Sequence, residues 1–313
     1  LQQAEALLYH EAEDYRPRDS RGESGGLVEL DRELPTLIVP DIHGRYGLVL
    51  ALLGLELDGR GPVLEQIHAG QLQLVCLGDY VHAEGRASRR WQLALDEFIG
   101  GFKRHANMDA EMRENLVTVA VLLTLKIAFP RSVHLLKGNH ENILNENGRG
   151  NLPFGKYAYE GAMVLEWMQQ FYAPEVLASF ARVEHGYPLL ARGRGFLISH
   201  AEPREFFSPR EVIDYRDNHS LILGLTWTDN GRAREDSVSR MLEEYLPSDE
   251  LPGWYFGGHR PVAEDFALRA GGRFVQFHNP GRRQIIRVHA GGVFDAHKDI
   301  ITLDNQNEET AEG

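Results

Sequence analysis

The chain has 313 residues, 42% of them hydrophobic and 25% charged, the balance of a folded globular protein rather than a disordered or collagen-like one. A formal net charge of -13 repels polyanions, so no nucleic-acid partner is expected. The one cysteine, Cys76, cannot form an internal disulfide and, in the apolar run 72–77, reads as a small buried residue.

The longest apolar stretch, Val117 to Phe129, is interrupted by Thr118, Thr124 and Lys126 and is too short to cross a bilayer, so no membrane partner is expected. No signal segment is visible, and a cytoplasmic location is expected. A removed leader stays open, because the first residue is Leu1. The oligomeric state has no signature in the sequence.

Residues 1–34 are polar and acidic, with Pro17 and a Ser24-Gly25-Gly26 break, and predict an N-terminal arm carrying one helix. A single domain is expected over 35–304. The polar stretch 305–313 predicts a disordered tail. Within the domain a pattern recurs, in which a short apolar run ends in a polar cluster. Thr36 to Pro40 leads into Asp41-Ile42-His43-Gly44, and Leu72 to Leu77 into Gly78-Asp79-Tyr80. Ser132 to Leu136 leads into Lys137-Gly138-Asn139-His140-Glu141. Phe196 to Ser199 leads into His200-Ala201-Glu202-Pro203, and Trp254 to Phe256 into Gly257-Gly258-His259-Arg260. Runs of this length bounded by Gly or Pro predict buried strands. Helices are predicted over Leu48 to Leu57, Ser88 to Gly100, Ala110 to Phe129 (stopped by Pro130) and Tyr159 to Tyr172. Further strands are predicted over 273–277, 284–289 and 299–303, and with them a second sheet. Alternating strands and helices define an α/β fold whose ligands bind beyond the carboxyl ends of the strands, where all five polar clusters fall.

Those clusters supply Asp41, His43, Asp79, Asn139, His140, His200 and His259. Carboxylate, imidazole and amide oxygen together suit manganese, iron or zinc, and no thiolate is on offer. Six donors exceed one tetrahedral zinc site and match two metals sharing a bridging carboxylate. Two divalent ions bring four positive charges and Asp41 with Asp79 return two, a surplus that favours a hydroxide plus a phosphate oxygen. Two metals roughly 3.5–4 Å apart stabilise both attacking and leaving oxygens, and lower the pKa of bound water to about 7. Gly44, Gly78, Gly138 and Gly258 adjoin these residues and permit tight turns.

Asp41-Ile42-His43-Gly44, Gly78-Asp79-Tyr80-Val81 and Gly138-Asn139-His140-Glu141 resemble the three signature motifs of the phosphoprotein phosphatases, within the calcineurin-like metallophosphoesterases. The approach Leu122 to Pro130 is also similar, and the later Ser199-His200-Ala201 and Gly258-His259 match more loosely. The resemblance implies a four-layer αββα sandwich of two β-sheets flanked by helices. It implies that Asp41 and His43 hold a first metal, Asp79 bridges, and Asn139, His200 and His259 hold a second. His140 is implied as the general acid. The implied activity is hydrolysis of phosphomonoesters by metal-activated hydroxide, with phosphoserine or phosphothreonine in proteins as the first substrate class and manganese as the first metal. A symmetrical dinucleoside polyphosphate hydrolase is the alternative substrate reading, and a metal-binding scaffold without catalysis the alternative class.

The second motif departs from the family, which continues with Asp-Arg-Gly where this chain has His82-Ala83-Glu84-Gly85-Arg86. The missing Asp orients the acid histidine, so His82 or Glu84 is expected to partner His140. The missing Arg binds phosphate, so Arg86 or Arg260 is expected beside Asn139 in that role. Lys137 stands where the family has Arg. An added segment near 86–115, with Arg86, Arg89, Arg90, Lys103 and Arg104, is expected as a cap over the site or as an exposed basic face. His278, before Asn279-Pro280, is a further residue that could line the site, and Glu141 is expected to brace its loop.

Overall fold

A computed structural model of the chain describes residues 1–303. Among them are eleven strands: β1 (Leu27–Glu29), β2 (Thr36–Val39), β3 (Gln73–Cys76), β4 (Val133–Leu135), β5 (Leu190–Gly193), β6 (Phe196–Ser199), β7 (Trp254–Gly257), β8 (Ala267–Arg269), β9 (Phe274–Gln276), β10 (Gln284–Val288) and β11 (Ile300–Thr302). Five form one sheet in the order β11-β10-β2-β3-β4, and six form a second in the order β1-β5-β6-β7-β9-β8.

Side chains alternate faces along a strand, and here the two faces enter different layers. In β2, Leu37 and Val39 join the apolar cluster under the helices, while Ile38 joins the cluster between the sheets. In β3, Leu74 and Cys76 take the first course and Val75 the second. In the other sheet, Leu197 and Tyr255 pack against the outer helices, and Phe196, Ile198 and Phe256 face the first sheet. Three stacked clusters therefore give helix on sheet, sheet on sheet and sheet on helix, the expected αββα sandwich. Burial on both faces explains why these strands read as unbroken apolar runs.

Strands β2, β3 and β4 run parallel, as do β6, β7 and β9. Parallel strands place their carboxyl ends together, and the polar clusters follow those ends. The expected helices form as Tyr46–Leu53, Ser88–Ile99, Ala106–Ala128 and Glu160–Phe171.

The first 34 residues are more than an arm. Their helix, Gln2–Tyr9, buries Ala4 and Leu8 and packs on the helix Pro174–Gly186, while β1 pairs in parallel with β5 at the edge of the second sheet. The reason it escapes sequence reading is that β1 is three residues long and its partner lies far along the chain. Segment 86–115 supplies the helix Ser88–Ile99 and the first turns of Ala106–Ala128, which pack on each other. Two of its arginines are engaged locally: Arg90 pairs with Glu111 and Glu114, and Arg86 with Glu114. The stretch 305–313 and residue 304 lie outside the described residues. Among the described residues no helix is long and apolar enough to cross a membrane.

Candidate metal centre and active site

Loops leaving β2, β3, β4, β6 and β7 bring all seven predicted residues to one place. Asp41, His43, Asp79, Asn139, His140 and His200 are buried, and His259 lies at the edge of burial, 9% exposed. The turns that achieve this are strained. His43, Asp79, His82 and His259 have φ of 49°, 51°, 63° and 62°, a left-handed backbone that side chains other than glycine avoid. Each such residue costs about 1–3 kcal/mol, a cost met by the surrounding structure and concentrated at functional sites. Two glycines make the close approach possible. A Cβ on Gly138 would stand 2.2 Å from Asp79 Oδ1, and one on Gly258 2.1 Å from Asp41 Oδ1. Glu141 braces the crossing as expected, accepting the backbone N–H groups of Asp79 (2.9 Å), Tyr80 (2.8 Å) and Gly138 (2.7 Å).

Three overlapping triads have donor atoms close enough to hold a cation: Asp41 with His43 and His278, His43 with Asp79 and His140, and Asp41 with Asp79 and His200. Asp41, His43 and Asp79 each belong to two of these triads, so the three groups form one continuous cluster of donors. His43 turns Nδ1 toward the carbonyls of His82 (2.9 Å) and Val81 (3.2 Å), and His200 turns Nδ1 toward Leu77 O (3.1 Å). A ring nitrogen that donates to a carbonyl leaves the other lone pair for a metal. Asn139 Oδ1 lies 2.9 Å from both His200 Nε2 and His259 Nδ1, so a second donor group gathers there.

The donor set fits a pair of divalent cations. Asp41 and Asp79 are buried carboxylates whose ion partners among the described residues are histidines, with no Lys or Arg side chain paired to either. Asp41 Oδ2 is buried without a hydrogen-bond partner. Burial first, then Asp41 and Glu141, push the Asp79 carboxyl well up, the mark of negative charge waiting for a cation. Burial pushes the His43 imidazole down, His200 to about 4 and His259 well below its ordinary range, which favours the neutral form that ligates metals.

His140 faces this centre through Nε2, 3.8 Å from Asp79 Oδ2, and its backbone N–H donates to Asp79 Oδ1 at 2.9 Å. Its Nδ1 lies 3.0 Å from His82 Nδ1. Phe154 covers both rings, with its centroid 3.8 Å from that of His140 and 5.4 Å from that of His82. Of the two residues expected to partner His140, His82 is therefore the one at hand. Glu84 faces elsewhere: it meets His278 Nε2 at 2.9 Å, His43 Nε2 at 3.6 Å and Lys156 Nζ at 3.6 Å.

A cleft of about 60 Å³ opens over these groups. No residue of 86–115 lines it, so that segment does not cap the site. Arg86 instead donates to His43 O (3.1 Å) and Glu114 (2.6 Å), a brace beneath the first turn. Arg260 does line the cleft, paired with Asp229. Sequence reading missed Phe154, Lys156 and Tyr157, from the loop before Glu160–Phe171, and Trp227, which complete the wall. Their only signal was an aromatic and basic cluster in an irregular stretch.

The sequence model of the calcineurin-like phosphoesterase family matches residues 34–280, and the chain belongs to that family. It is a phosphoric ester hydrolase of a family built around a dinuclear metal site and acting on phosphorylated substrates. The fold is similar to a protein serine/threonine phosphatase from Saccharomyces cerevisiae, itself similar to human phosphatase PP5. The TM-score is 0.58 and the identity 15%, with 97% of this chain and 89% of that one covered. A cold-active protein-tyrosine phosphatase of a psychrophilic Shewanella matches at TM-score 0.47 and 15% identity, over 89% and 82%. A putative diadenosine tetraphosphatase matches at 0.43 and 13%, over 90% and 99%. No curated protein matches the chain.

Proposed function

We propose that the chain hydrolyses phosphomonoesters, in the manner of a serine/threonine protein phosphatase, with His140 as the general acid. The observation that carries this reading is the His140–His82 pair set against Asp79 at the floor of the cleft. Asp41 and His43 would hold one ion, Asn139, His200 and His259 the other, with Asp79 between them. Two divalent ions, when bound, neutralise the phosphoryl charge and make water nucleophilic at neutral pH. Manganese is the first candidate, with iron and zinc compatible with the same donors.

The protein's own residues do the rest. Asn139 and the cleft cations Arg260 and Lys156 orient the phosphoryl oxygens. A hydrogen bond from His140 Nδ1 to His82 Nδ1 fixes the ring so that Nε2 faces the leaving oxygen. The ring must enter this step doubly protonated, taking a proton from water against burial and the neighbouring His43 and His82, which push its pKa well down; Nε2 then gives up its proton as the phosphorus–oxygen bond breaks, and the neutral ring keeps its Nδ1–H on His82. Phe154 excludes water from this path. The aromatic mouth leaves the body of the substrate outside the cleft, as suits a side chain on a protein surface.

The test uses purified full-length protein with manganese, assayed side by side on phosphoserine and phosphotyrosine peptides, an aryl phosphate and diadenosine tetraphosphate. Phosphate release from the phosphoserine peptide, with little from the dinucleotide, is expected. His140→Asn should lower kcat by about 10²–10⁴-fold on the serine ester, the range for loss of a general acid. It should matter far less on the aryl ester, whose phenolate leaves without protonation. His82→Ala should move kcat in the same direction by a smaller factor, with KM unchanged. Bound metal with no turnover on any ester would leave only a scaffold, and preference for the dinucleotide would overturn the substrate assignment.

A further inference from the structure

We infer that His278 is a ligand of the first metal, held in place by Glu84, so that this ion has four protein donors rather than three. The inference rests on the dinuclear reading above and extends it to residues that none of the matched motifs contains.

His278 follows β9, which lies beside β7 in the second sheet, so its loop emerges next to the one that carries His259. The side chain is fully buried, 0% exposed, directly behind Asp41. Its Nε2 is taken, 2.9 Å from Glu84 Oε2. A carboxylate only accepts, so Nε2 carries the hydrogen and the Nδ1 lone pair is the one left over. That Nδ1 has no hydrogen-bond partner and lies 3.9 Å from Asp41 Oδ2, which is likewise buried and unpartnered. His43 presents its own Nε2 to the same space, its ring 5.6 Å from that of His278. Three donors whose other atoms are already satisfied thus converge, all within 4.8 Å of one another.

An unpartnered buried imidazole nitrogen aimed at an unpartnered carboxylate oxygen is costly unless something stands between them. A cation satisfies both at once. The Glu84–His278 pair has the form of a carboxylate that orients a ligating histidine and raises its basicity. Glu84 Oε2 also lies 3.6 Å from His43 Nε2, at the edge of the same donor group. This gives Glu84, placed where the second motif departs from the family, a use other than orienting His140. Two imidazoles beside two carboxylates suit a borderline ion such as zinc or iron as well as manganese.

The experiment strips the full-length protein of metal and titrates it with manganese alone. Metal per chain is counted by mass spectrometry after dialysis, and spin coupling between paired ions is followed by electron paramagnetic resonance. Wild type is expected to take two ions and show the coupled signal. His278→Ala should keep one ion tightly, lose the coupled signal at matched manganese, and regain it only at concentrations more than about 100-fold higher. Glu84→Gln preserves the shape and should weaken the same step by roughly 10–100-fold, which keeps the test alive if the alanine variant does not fold. Two ions bound by either folded variant with wild-type affinity would overturn the assignment of that residue. A wild type that takes fewer than two ions would instead defeat the dinuclear reading itself.

Discussion

Asp79→Asn should eliminate phosphoesterase turnover while leaving the metal-free protein at least as stable as wild type. The two effects have one origin. Asp79 is 1% exposed, with Oδ1 accepting the His140 N–H at 2.9 Å and Oδ2 lying 3.4 Å from His200 Nε2 and 3.7 Å from His43 Nε2. An asparagine has the same shape and keeps an oxygen for the His140 amide. What it removes is a negative charge that burial and the neighbouring Asp41 and Glu141 make expensive. A carboxyl whose pKa is raised by folding destabilises the fold at every pH above the ordinary carboxylate range, so at neutral pH the neutral amide relieves that cost. Turnover responds the other way. In the proposed centre Asp79 is the donor common to both ions, and its loss should exceed the roughly 100-fold penalty typical of losing an outer partner of a metal ligand. The measurements are thermal unfolding of chelator-treated protein and phosphate release with manganese. Retained turnover, or a metal-free variant markedly less stable than wild type, would sink the argument that this carboxylate is kept for its charge. Such opposition between stability and activity is expected of a functional site.

The sequence made the main strands and the seven central side chains legible for a physical reason. Strands buried on both faces must be apolar throughout, so the first polar residues after each run stand out as the strand-end loops. What it hid depends on contacts across the fold. His82 and His140 are 58 residues apart, and nothing in either local sequence says that their rings share a hydrogen bond. His278 reaches Asp41 because β9 inserts between β7 and β8, an order not deducible from an apolar run at 273–277. Arg86 looked available for phosphate because it follows the second motif, where the family carries its phosphate-binding Arg, but Glu114, one helix away, takes its guanidinium. Lys156 and Phe154 sit in a loop without periodicity, where position is set by the packing beneath. The left-handed backbone at His43, Asp79, His82 and His259 is equally invisible, since each residue type ordinarily avoids it.

Far from the cleft, Glu11→Gln should lower stability by about 3–5 kcal/mol, the usual result of removing one partner of a buried ion pair. Glu11 is 2% exposed and pairs with Arg16, 0% exposed, and Lys126, 2% exposed. Arg16 also donates to the carbonyls of Gly25 (2.7 Å), Gly186 (2.7 Å) and Leu8 (3.2 Å), and the Glu11 N–H donates to Ser24 Oγ at 2.8 Å. The cluster therefore ties the first 34 residues to the helices Ala106–Ala128 and Pro174–Gly186. Burial alone would raise the Glu11 carboxyl, but Arg16 and Lys126 outweigh it and hold it at about 2. Burial pushes the Lys126 ammonium down against the pull of Glu11, so the two partners gain unequally. Arg16, with its three carbonyl acceptors, is the firmer anchor. A depressed carboxyl adds stability that is fully present above the unfolded value of about 4.3 and lost as pH falls toward 2. Urea unfolding of wild type and variant at neutral pH should differ by the full amount, and the gap should close across that acid window. Phosphoesterase activity of the folded variant should stay at the wild-type level, since Glu11 does not line the cleft. Equal urea midpoints at neutral pH would mean that the buried charges compensate one another without the carboxylate, and the cluster would lose its role in holding the N-terminal segment.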